Sequence, residues 1–146
     1  MSETLLLKND LNEVARFSAF MKSVLEKLNI EKALARQLRL AVEEAVVNVM
    51  EYAYPAGQEG TVEVQIMSDG KTLKAIIIDS GMAFDPTQNE CPDTTLSAED
   101  RPIGGLGILL VRELMDSINY ERRQSGDSGH NVLTLIKNLN EYGNEN

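Results

Sequence analysis

Glu44 and Asn48 are the first residues whose types and spacing could do chemistry. On a wheel of about 100° per residue, Leu34, Leu38, Val42, Ala45, Val49 and Ala53 fall on one arc, which predicts a helix ending at Tyr54-Pro55. Four residues apart, Glu44 and Asn48 stack one turn above the other at the margin of that arc. Neither Lys nor Arg occurs between Ala41 and Pro55, as a plainly solvated face would favour. An Asn side-chain oxygen is a hard, neutral ligand for Mg²⁺, and a Glu beside it can orient or deprotonate a nucleophile. Two solvated polar residues at a helix boundary would carry the same spacing, so the pair alone leaves both readings open.

Two further motifs carry chemistry. Asp79-Ser80-Gly81-Met82-Ala83-Phe84-Asp85-Pro86 follows an apolar run. An Asp at a strand's end can accept a hydrogen bond from an exocyclic amine, and Gly81 lets the backbone approach a flat ring. A plain Asp-Ser-Gly turn would look the same. Phe84 is a further candidate contact for a bound base. Gly104-Gly105-Leu106-Gly107 opens a second helical pattern, where free amides and the positive end of the helix dipole make an anion site. It is neither a Walker loop nor a Rossmann turn, because the Lys of the first and the βαβ setting of the second are missing.

The elements that must position these residues follow from periodicity. Thr4 to Lys8, a short apolar run ending before Asn9-Asp10, reads as a first strand at an edge. Asp10 and Glu13 have capping-box spacing before a helix to about Asn29, with Leu11, Val14, Phe17, Met21, Val24, Leu25 and Leu28 at helical intervals. The Glu44 helix starts at Glu31 or Lys32. Thr61 to Met67 alternates apolar and polar residues, Ser68-Asp69-Gly70-Lys71 is a hairpin turn, and Leu73 to Asp79 returns. From Met82 to about Ile103 no period survives, which predicts a lid over a site. A helix from Ile108 to Ser117 and a hairpin of Ile118 to Arg123 with Asn131 to Lys137 close the domain; about 139–146 should fray. Strands in antiparallel runs with grouped helices predict an α+β fold, a two-layer α/β sandwich.

Composition bounds the function. At 146 residues the chain is expected to form one domain, 1–146. A net charge of -9 argues against a nucleic-acid backbone or an anionic membrane as the main partner. The single cysteine, Cys91, allows no internal disulfide and suits a reducing compartment. No basic leader and no apolar run of membrane-spanning length occurs, so a soluble cytoplasmic protein is expected. His130 in the final hairpin reads as solvated or structural.

Taken in order, the three motifs resemble the ATPase superfamily of gyrase, Hsp90, histidine kinases and MutL. The chain is similar to its compact branch, the anti-sigma-factor serine/threonine kinases, over roughly residues 5 to 138. The resemblance implies a Bergerat-type sandwich with a mixed, mostly antiparallel sheet covered on one face by helices. It implies ATP and Mg²⁺ as cofactors, with Asn48 on the metal, Asp79 on the adenine amine, and Gly81 and Phe84 near the base. Gly104, Gly105, Leu106 and Gly107 would hold the phosphates, and Glu44 would be the base. The implied partners are a sigma factor and an anti-anti-sigma antagonist, the latter phosphorylated on Ser or Thr, with the kinase a homodimer. Tyr52 stands where the family often has His, and Ile103 where an Arg commonly precedes the glycines. A nucleotide-gated binding module without turnover, or a stand-alone histidine-kinase-type ATPase domain, are the rival expectations.

Overall fold

The computed structural model describes residues 1–88 and 105–139. In chain order these form strand β1 (Ser2–Lys8), helices α1 (Val14–Lys27) and α2 (Lys32–Tyr52), and strands β2 (Thr61–Ser68) and β3 (Thr72–Asp79). Helix α3 (Gly105–Leu114) and strands β4 (Ser117–Ser125) and β5 (Ser128–Asn138) follow. The strands make one sheet in the order β1-β2-β3-β5-β4. All four pairings are antiparallel, so the antiparallel part of the expected mixed sheet is the whole of it among the described residues. β1 lies at an edge, as its short apolar run suggested.

Alternation decides which face of the sheet the helices cover. Val62, Val64 and Ile66 of β2 and Leu73, Ala75 and Ile77 of β3 are fully buried, while their neighbours are partly or wholly exposed. Onto that face α1 lays Phe17, Met21, Val24 and Leu25, and α2 lays Leu34, Leu38, Val42, Ala45 and Val49. α3 adds Ile108 and Val111. Each large side chain buried in this way contributes about 1.5–3 kcal/mol.

Local chemistry sets the boundaries, and in several places moves them. A single 3-10 turn, Leu11–Glu13, precedes α1. Asp10 accepts from the Asn12 amide at 2.9 Å, but Glu13 reaches back to the Lys8 amide at 2.9 Å and so ties the strand's end to the helix start. The reciprocal capping box is therefore not formed, and Leu11 is 52% exposed, outside the apolar stripe. α1 stops at Lys27, two residues early, because Asn29 turns left-handed at φ 58° and the Ile30 amide bonds back to the Leu25 carbonyl. Glu31 caps α2 with both carboxylate oxygens, on the amides of Ala33 and Leu34. α3 begins three residues before Ile108 and ends before Ser117. Asp116 already donates its amide to the Ile136 carbonyl, so sheet pairing claims the last residues assigned to that helix.

Candidate functional site

Asp79 ends β3 on the helix-facing side, the last position of a row that is otherwise apolar. The sheet register places it opposite Asn131 of β5, and Asn131 opposite Arg122 of β4. Residues in such a rung share a face, so a carboxylate, an amide and a guanidinium meet there. Asn131 donates to Asp79 Oδ1 at 2.8 Å and to the Met82 carbonyl at 2.8 Å. Its own Oδ1 accepts from the Phe84 amide, the Tyr120 hydroxyl and Arg122 Nη1. Arg122 also donates to the Gly81 carbonyl at 2.8 Å. The sequence reading assigns the last strand to the closing hairpin and gives Asn131 no role at the site; buried to 3% exposure, it is the centre of this network. A lone Asn in an apolar strand was the available signal.

The turn after Asp79 is fastened to the end of α2. Gly81 donates to Asp79 Oδ1 at 2.8 Å, and the Met82 amide to the Ala53 carbonyl at 2.8 Å. The Tyr54 hydroxyl accepts from the Ser80 amide at 2.9 Å and donates to the Thr61 carbonyl at 2.6 Å. A Cβ on Gly81 would lie 2.1 Å from the Ala53 carbonyl oxygen. Contact with the helix end is thus reason enough for glycine here, before any flat ring is considered. Beside it the Phe84 ring tilts against Tyr52, with centroids 5.6 Å apart.

One oxygen in this network stands alone. Asp79 is 2% exposed, and its Oδ2 has no hydrogen-bond partner among the described residues, whereas Oδ1 has two. A buried carboxylate oxygen without a donor costs about 1–3 kcal/mol or more, so its place suits a donor that the described residues do not supply. Burial drives the Asp79 pKa above its ordinary value, a rise opposed by the bonds from Asn131 and Gly81 and by the charges of Arg122 and His130. An exocyclic amine of a purine is a donor that fits. The Tyr52 hydroxyl is likewise buried and without a partner among the described residues.

α2 carries the other half. Asn48 is 3% exposed, further inside than the margin expected, and its Nδ2 donates to the Glu44 carbonyl at 3.0 Å. That bond fixes the amide and leaves its Oδ1 as an acceptor unused by the described residues. Glu44 is half-buried, and burial raises its pKa, helped by repulsion from Glu43 and Glu51. A carboxylate tuned upward is a better proton acceptor near neutral pH. Among the described residues no group of three His, Cys, Asp or Glu could hold a metal. A divalent ion at Asn48 would therefore be one held chiefly by a ligand's oxygens, as Mg²⁺ commonly is. Gly105, Leu106 and Gly107 form the first turn of α3, which packs on α2. Gly104 and positions 89–103 of the expected lid lie outside the described residues. Of that lid's first part, Pro86–Gln88 is a 3-10 turn whose Thr87 carbonyl accepts from Arg112 of α3.

The family pattern described as the histidine kinase-like ATPase domain matches residues 7–137. The chain belongs to that family. This ATPase domain is 33% identical over 98 residues to the serine/threonine-protein kinase BtrW of Bordetella bronchiseptica, covering 67% of this chain and 66% of that one. It is 33% identical over 108 residues to the serine-protein kinase RsbW of Listeria monocytogenes serovar 1/2a, covering 71% and 66%. The expected likeness to the serine-kinase branch is thereby borne out, and the chain spans just under two thirds of the length of these relatives. In three dimensions the domain is similar to the blue-light activated histidine kinase of Erythrobacter litoralis EL346, with a TM-score of 0.56 and 14% identity. That match covers 88% of this chain and 41% of the other, and it shows the shared fold. No helix among the described residues is long and apolar enough to cross a membrane.

Proposed function

We propose that this chain binds ATP with Mg²⁺, sequesters a sigma factor, and phosphorylates an anti-anti-sigma antagonist on Ser or Thr. The observation that carries the reading is Asp79 Oδ2, buried and without a partner among the described residues, beside an Oδ1 that accepts from Gly81 and Asn131. ATP would supply the transferable phosphoryl group, and Mg²⁺ the charge neutralisation that lets it approach three α2 carboxylates. Asp79 accepts from the adenine amine, with Asn131 and Arg122 holding its orientation. Gly81 and Phe84 flank the base, and the amides of Gly105, Leu106 and Gly107 at the start of α3 hold the phosphates, a role also proposed for Gly104 from the sequence. Asn48 offers Oδ1 to the metal. Glu44 takes the proton of the attacking hydroxyl.

The relatives named serine-protein kinases support transfer to serine, and the acidic surface supports a protein rather than a nucleic-acid partner. A homodimer in the cytoplasm completes the reading. Incubation with γ-labelled ATP and serine-bearing candidate antagonists tests it. Label on the antagonist is expected. ATP binding without transfer to any candidate would favour a nucleotide-gated binding module, and absence of ATP binding would overturn the reading.

A further inference from the structure

The outer groove between α1 and α2 reverses the charge balance of the chain. The whole sequence has 14 Lys and Arg against 23 Asp and Glu. The groove is lined by Lys22 of α1 and by Lys32, Arg36 and Arg39 of α2, with Glu26 the one acid in its lining. Lys32, Arg36 and Arg39 follow one another at intervals of four and three residues, so they form a stripe along one face of α2. All four cations are exposed, and none forms an ion pair among the described residues. Glu31, the nearest acid at the helix start, has both oxygens on backbone amides. Arg39 Nη1 donates to Ser18 Oγ at 3.0 Å and so joins the two helices across one end of the groove.

The floor is apolar. Leu25 is 3% exposed and Ile30 is half-buried there, and the volume is about 1070 Å³. A cationic rim over an apolar floor is complementary to a segment carrying carboxylates on one side and aliphatic side chains on the other. A nucleic acid or a lipid headgroup layer would use the rim and leave the floor, and the chain's net charge of -9 repels both. We propose that this groove docks an acidic amphipathic segment of a partner protein, carboxylates on the α2 stripe and apolar side chains on Leu25 and Ile30. None of its residues belongs to the nucleotide reading, so either can fail without the other.

The full chain is to be tested on a peptide array of four classes: acidic-apolar, acidic-polar, neutral-apolar and basic-apolar. The acidic-apolar class should be captured best. By fluorescence anisotropy, Lys32→Glu with Arg36→Glu should weaken its strongest member by about tenfold or more, the scale of losing charged hydrogen bonds. If that double variant melts early, Lys32→Gln with Arg36→Gln should show the same loss at smaller amplitude. Raising salt so that the screening length falls from about 10 Å at 0.1 M to about 3 Å at 1 M should weaken binding as well. Capture of neutral-apolar peptides as strong as that of acidic-apolar ones would overturn the proposal. So would unchanged affinity in both double variants. Equal binding of an oligonucleotide or of phosphatidylserine vesicles would overturn it too, as would a change of oligomeric state in the variants, which would make a second copy the occupant.

Discussion

The Asp79 end and the α2 end of the candidate site are built on opposite principles. At the Asp79 end the polar groups are buried and bonded to one another across three strands, and one acceptor is left over. At the α2 end, Glu44 and Asn48 share a single hydrogen bond, from the Asn48 amide to the Glu44 carbonyl. Charge follows the same division. Asp79 is surrounded by groups that favour its ionised form against burial, namely Asn131, Gly81, Arg122 and His130. Glu44 has burial and two neighbouring carboxylates against it. The first end is shaped before a ligand arrives, which limits the entropy lost on binding. The second keeps a half-buried carboxylate that burial and its neighbours Glu43 and Glu51 bias toward taking a proton.

Substitutions should separate the two ends. The largest effect is expected at the chemical end. Glu44→Gln keeps size and hydrogen bonding but takes no proton, so phosphoryl transfer should fall by roughly 10²–10⁴ while ATP affinity stays within a few fold. Glu43→Gln, one residue earlier and about 100° around the helix, should cost little. The reverse pattern in a single-turnover assay would assign the base to Glu43. At the shaped end, Gly81→Ala should destabilise the fold by about 1–3 kcal/mol, because the added Cβ meets the Ala53 backbone and not a flexible side chain. Denaturant unfolding checks this; an unchanged midpoint would show that the turn is not clamped to α2.

The smallest effect is in pH. Burial raises the folded pKa of Asp79 above the ordinary value of 3.8. Its contribution to the stability of the free protein is therefore fully present below the unfolded pKa and is lost as pH rises through the folded one. Accepting an amine needs the ionised form, so nucleotide binding runs the other way. The gain in Tm from ATP should accordingly grow as pH rises through the folded pKa of Asp79. A gain independent of pH across that window would remove Asp79 from the contact.

Much of this was legible in the sequence where one residue's neighbours along the chain decide its fate. The stripe from Leu34 to Ala53, the alternation of Thr61 to Met67 and the Asp69-Gly70 turn all appear as expected. Asp79 and the Glu44–Asn48 pair were visible by type and spacing. Asn131 was not, because its role comes from the register between β3, β5 and β4, which no local pattern encodes. The same holds for Arg122, whose guanidinium takes the space that a Cβ on Gly129 would fill. Gly81 was singled out for a different reason than the one its surroundings give. Helix ends also shifted where a distant strand competed for a backbone group, as Ile136 does at Asp116.

The central claim is that Asp79 Oδ2 is the acceptor for a nucleotide's amine, and Asp79→Asn tests it most directly. Oδ1 must still accept from Gly81 and Asn131, which fixes the new amide with its NH₂ in the place of Oδ2. A donor then faces a donor, and a buried charge has been removed. Calorimetric titration with ATP·Mg²⁺ should show affinity reduced about tenfold or more, about 1.4 kcal/mol per decade. The ligand-free protein should melt at or above the parent temperature. Parental ATP affinity in a folded Asp79→Asn protein would contradict the account.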